Sequence, residues 1–166
     1  MKILFLLPFS FLPPNSGNKN LTCNLLKYIT KNALCDLILL GENDHNDAET
    51  KKALISEFPE IGKIWIFKKP KNTEKISSKI KFASQGYHPA LGSYYSQQLA
   101  NWLKFFVPKN SYDLIHFDMF YMAIYQQYCA SIPSVLVASD AYSMSMHRAK
   151  LGTNSTIHKF FWLIQE

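Results

Sequence analysis

The sequence predicts an α/β fold, a doubly wound and mainly parallel sheet of the Rossmann-like kind. Three observations predict it. Short runs rich in Leu, Ile, Val and Phe recur along the chain, amphipathic segments of helical spacing separate them, and prolines, glycines or polar turns close nearly every run. With 166 residues, of which 48% are hydrophobic, the chain is long enough to bury a core as one domain and too apolar for disorder.

Each element follows in order. Lys2 to Pro8 is a brief apolar run that ends at prolines, which cannot donate to a sheet ladder. After a loop holding Ser16 and Gly17, "NLTCNLLKYITKN" places Leu21, Leu25, Leu26 and Ile29 at spacings of three and four. That is an amphipathic helix, with Asn18 or Asn20 as its cap. Leu34 to Gly41 is a second strand, closed by Gly41 and the polar turn "ENDHND". "ETKKALISEFPE" is a short helix that stops at Pro59, and "GKIWIFKK" a third strand with alternating Ile64 and Ile66. The segment from Lys63 to Phe82 is basic, and its Ile76, Ile80 and Ala83 share one helical face. Gly92 to Val107 reads as one helix with Tyr95, Leu99, Trp102, Leu103 and Phe106 on one side. Tyr112 to Asp118 and Pro133 to Asp140 are two further strands, separated by the helical "FYMAIYQQYCAS". Strands alternating with helices imply right-handed crossovers and a ligand crevice beyond the carboxyl ends of the strands.

Several classes are excluded. A secretion signal starting at Lys2 would need small residues before its cleavage point, and prolines and asparagines stand there instead. No run reaches the roughly 18 uninterrupted apolar residues of a membrane span. Cys23, Cys35 and Cys129 are far apart and lack C-x-x-C spacing, as expected of buried thiols in a reducing cytosol rather than of disulfides or zinc. The net charge of +6 favours an acidic partner. A receiver-like module would need paired acids after the first strand, where Pro8, Phe9 and Ser10 stand. A dehydrogenase would need G-x-G-x-x-G there; Glu42 fits its acid, but the glycines are missing. No RNA-binding signature accompanies the basic stretch, so nucleic acid is not expected.

The opening "MKILFLLPFSFLPPNSGNKNLTCNLLKYITKNALCDLILLG" resembles the start of GT-B glycosyltransferases of family 4, where a strand leads through a proline-rich, S-G-containing loop into a helix. "YDLIHFDMFYMAIY" and "IPSVLVASDAYSMSMHRA" are similar to that family's later D-x-x-H strand and the stretch after it, and "ALGSYYSQQLANWL" to a segment of some members. The resemblance covers most of the chain but only the N-terminal half of such an enzyme. It implies that residues 1–166 are a single Rossmann-like acceptor-side domain, with the donor-binding domain and its E-x7-E-like motif lying elsewhere. The implied function moves a sugar from a nucleotide-sugar to an acceptor hydroxyl in the synthesis of cell-surface glycans or glycolipids, without metal or other cofactor. The isolated domain is expected to be inactive and cytoplasmic, meeting a glycan or lipid-linked acceptor. The alternative is a non-catalytic sugar- or nucleotide-binding α/β module.

Site residues follow from the same reading. Ser16, Gly17, Asn18 and Lys19 form the donor-phosphate loop, where backbone N–H groups and a helix dipole meet the leaving diphosphate. Relatives often have two glycines here; this chain has Gly17 then Asn18, and Lys19 adds a point charge. The plain alternative is a proline-stiffened turn with a helix cap. Asp118 and His116 are the catalytic candidates, Asp118 accepting a hydroxyl proton or orienting the sugar. His116 reads equally as a core histidine. His88, Asp140, Tyr142 and Ser143 are expected on the acceptor side, although Asp140 also suits a helix cap and His88 an ordinary loop position. The lysines from Lys68 to Lys81 would suit peripheral contact with an anionic bilayer, or simply a solvated helix face.

Overall fold

A computed structural model describes residues 1–41, 46–129 and 131–138. The elements run β1 (Lys2–Leu7), α1 (Gly17–Ile29), β2 (Leu34–Gly41), α2 (Asp47–Glu57), β3 (Ile61–Lys68), α3 (Asn72–Ser84), α4 (Gln97–Phe106), β4 (Leu114–Asp118) and β5 (Ser134–Val137). Short 3₁₀ helices cover Pro89–Tyr94, Val107–Lys109 and Phe120–Tyr128. The five strands form one parallel sheet in the order β3-β2-β1-β4-β5. Strand β1 lies in the middle, with Ile3 opposite Cys35 of β2 and Phe5 opposite His116 of β4. The direction of winding reverses between β1 and β4, so the switch point of the sheet lies between their carboxyl ends.

Two apolar layers explain why β1 is hydrophobic without interruption: a strand covered on both faces cannot alternate with polar residues. Ile3, Phe5 and Leu7 pack with Cys23 and Leu26 of α1 and Leu54 of α2. Leu4 and Leu6 face the other way, into a layer built with Leu99 and Leu103 of α4 and with Met122 and Tyr125. The doubly wound expectation is therefore met, with α1 and α2 on one face and α4 on the other.

At the amino edge, Asp36 of β2 is buried and acts as a shared acceptor. It receives the backbone N–H of Lys63 at 2.6 Å and the hydroxyl of Tyr112 at 2.7 Å, with Lys2 Nζ 3.7 Å away. Burial, reinforced by this carboxylate, raises the Tyr112 pKa and keeps its phenol protonated as the donor.

Local differences from the sequence reading have identifiable causes. Ser16, rather than Asn18 or Asn20, caps α1, so the helix starts further upstream. The single helix expected over 92–107 is broken at Tyr95, whose backbone is extended at φ −86°, ψ 107°. Ser96 then restarts the chain as the cap of α4, its side chain accepting from Leu99 N–H at 3.4 Å, while its own N–H donates to Tyr125 Oη at 2.7 Å. Upstream of the break, Gly92 lies against the backbone of α3. A Cβ there would stand 2.5 Å from Lys79 N and 2.7 Å from the Ser78 carbonyl carbon. Gly92→Ala should therefore push the 3₁₀ turn off α3 at a cost of about 1–3 kcal/mol. A fall in thermal midpoint would show it, and an unchanged midpoint would contradict this packing.

Candidate functional site

The carboxyl edge at the switch point is built by the loop from Pro8 to Ser16, the first turn of α1 and the end of β4. Ser16 Oγ accepts the N–H of Lys19 at 3.5 Å, and Asn20 N–H bonds to the Ser16 carbonyl at 2.9 Å. A helix leaves its first N–H groups without intrahelical acceptors, and its dipole makes that end positive. Gly17 opens the helix facing vacant space: a Cβ there would meet nothing within 4 Å. Neither packing nor backbone conformation demands glycine at this position. Lys19 reaches the wall of an adjoining cleft of about 480 Å³, over the ends of β1, β2 and β3, which Ser10, Asn15, Gly41 and Asp47 also line.

The loop and β4 are tied together through Thr22. Its hydroxyl lies 2.7 Å from Asp118 Oδ2 and 3.0 Å from the Asn18 carbonyl oxygen. One hydroxyl proton cannot serve both acceptors fully. Burial raises the Asp118 pKa, with the Thr22 contact opposing it. The Thr22 proton goes to one oxygen or the other, and Asp118 Oδ2 is the nearer. Sequence reasoning missed Thr22; its signal was a lone hydroxyl in the apolar stripe of α1, between Leu21 and Leu26. Equally unread was Met119, which holds φ 65°, ψ 148°, a conformation that glycine adopts far more easily. Such a backbone stores about 1–3 kcal/mol of strain, and such residues cluster where ligands bind. It stands one residue after Asp118, at the switch point.

His116 lies deeper in β4, with its ring 4.5 Å from that of Phe5. It is only 4% exposed, and neither ring nitrogen has a hydrogen-bond partner among the described residues. Burial lowers its pKa to about 4, so the imidazole is neutral at pH 7. Neither His116 nor Asp118 lines the cleft that Lys19 faces.

His88 caps the 3₁₀ helix beginning at Pro89, its Nδ1 accepting the N–H of Ala90 at 3.1 Å, and it does not line the cleft that Lys19 faces. Asp140, Tyr142 and Ser143 lie outside the described residues. Among the described residues no group of three or more His, Cys, Asp or Glu is arranged to hold a metal, and no helix is long and apolar enough to cross a membrane. The three cysteines are buried thiols, and burial raises Cys35 to about 11 and Cys129 to about 12. Comparison with protein-family models, with curated proteins and with solved structures finds no match to this chain.

Proposed function

We propose that this chain is the acceptor-side domain of a GT-B glycosyltransferase of the family 4 type, transferring a sugar from a nucleotide-sugar to an acceptor hydroxyl in glycan or glycolipid synthesis. One observation carries the reading: the first crossover ends in a helix N-terminus whose Gly17 faces open space at the switch point of a parallel sheet. In this reading the first-turn amides of α1, with the positive end of its dipole and Lys19, stabilise the growing charge of the leaving diphosphate. Asp118, tied to α1 through Thr22, serves the acceptor hydroxyl as proton acceptor or orienting group. The reaction needs the donor-binding domain, so this domain alone turns nothing over. The protein works in the cytoplasm. Ile76 and Ile80 support peripheral contact with an anionic bilayer, because they point outward from α3 and are 61% and 67% exposed among lysines.

The decisive variant is Gly17→Val in the complete transferase. Since a Cβ there would meet nothing within 4 Å, folding should change by less than about 1 kcal/mol while transfer is abolished. Product formation and a denaturation curve measure the two effects, and unchanged turnover would remove the loop from the mechanism. A second reading, a sugar- or nucleotide-binding module without catalysis, is favoured by one fact: Asp118 is buried against Thr22 and only 5% exposed.

A further inference from the structure

On the opposite face of the sheet, a second cleft of about 530 Å³ opens between the end of β3, α3 and the start of α4. Lys68, Lys69, Lys71 and Lys81 line it, against the single acid Glu74. Lys68 is held by Asp47 at 2.9 Å, and the carboxylate of Glu74 accepts the Lys71 backbone N–H at 2.8 Å. The ammonium groups of Lys69 and Lys81 stand over the rings of Tyr94 and Tyr95, at 5.4 and 5.6 Å from their centroids. An aromatic face positions a cation. Positive charge from two elements thus lines one concavity that carries a single acid, and a bound anion lowers the repulsion between like charges there. Ser77, Ser78, Gln97 and Gln98 add neutral hydrogen-bonding groups to the same walls. The floor is neutral: burial raises the Tyr95 pKa, and its hydroxyl is bonded to Tyr128 at 3.0 Å and to Gln97 at 3.1 Å.

We propose that this cleft is a binding site for a phosphate ester, whose anionic oxygens meet Lys69, Lys71 and Lys81 and whose hydroxyls meet the serine and glutamine side chains. It is distinct from the diphosphate loop at Gly17 and does not rest on the transferase reading. The phosphate has two sources, a free phosphorylated small molecule or the head group of an anionic lipid.

The test uses the full chain with inorganic pyrophosphate, and separately with vesicles of phosphatidylcholine with and without phosphatidylglycerol. Saturable pyrophosphate binding by calorimetry, weakened about tenfold in Lys71→Gln/Lys81→Gln and by added salt, establishes the free source. Pelleting only with phosphatidylglycerol vesicles, lost in the same double variant, establishes the lipid source. Both substituted lysines are on the surface, so an unchanged thermal midpoint excludes unfolding as the cause. Failure to bind either probe overturns the proposal, as does equal binding by the wild type and the double variant. The share of binding that Lys71→Gln/Lys81→Gln removes belongs to this cleft, and any share that survives the double variant belongs elsewhere, which separates this outcome from that of the transfer experiment.

Discussion

Asp36→Ala should lower the free energy of unfolding by about 3 kcal/mol. The change strands the buried Tyr112 hydroxyl and the partly buried Lys63 N–H, and removes the counter-charge 3.7 Å from Lys2. Alanine also leaves a void beside Gly62, where a Cβ would stand only 2.4 Å from Asp36 Oδ1. Tyr112→Phe removes one of these bonds and should cost only about 1 kcal/mol. Urea denaturation of the two variants and of their combination would separate the terms. A loss under about 1 kcal/mol in Asp36→Ala would mean that this network contributes little to joining β2, β3 and the start of β4.

Acidification should destabilise the fold through His116. Its folded pKa of about 4 lies below the ordinary 6.5, so the unfolded chain takes up a proton that the native ring refuses. The stability is therefore fully present above pH 6.5 and drains away as the pH falls toward 4, by about 3 kcal/mol in all. Asp118 acts with the opposite sign. Its raised pKa means that the native state gains a proton sooner, which favours folding in acid and is lost as the pH rises. His116→Phe isolates the histidine. It keeps a ring beside Phe5, removes both unpartnered nitrogens, and should stabilise the protein by about 1–2 kcal/mol at pH 7 while abolishing that part of the acid slope. An identical slope in the variant would assign the acid sensitivity to another group.

The strands were legible because each is a short apolar run with a visible stop, and β2 spans the same Leu34–Gly41 in sequence and structure. Helix α4 was only half legible. Its amphipathic spacing extends back through Tyr95, but the break there is made by Tyr125, a side chain 29 residues downstream. The strand order sets β1 beside β4, so the loop after β1 and Asp118 meet at one edge of the sheet. What local pattern could not reveal was the Thr22–Asp118 bond across 96 residues, or the strained backbone at Met119, because both are imposed by tertiary contacts. The basic segment was visible as charge, whereas its convergence on a cleft needed the position of α4.

The central place of β1 also shapes how the chain emerges from the ribosome. Everything from β1 to β3 can assemble one complete apolar layer early, because that layer draws almost entirely on residues before Lys68. The far edge of β1 then waits for β4, whose Leu114 lies about 46 residues further on, which is roughly 2–9 s at a synthesis rate of ~5–20 residues per second. For that interval the most apolar strand of the protein offers a bare ladder of hydrogen-bonding groups to any neighbour, so nascent chains are the form of this protein most in need of a chaperone.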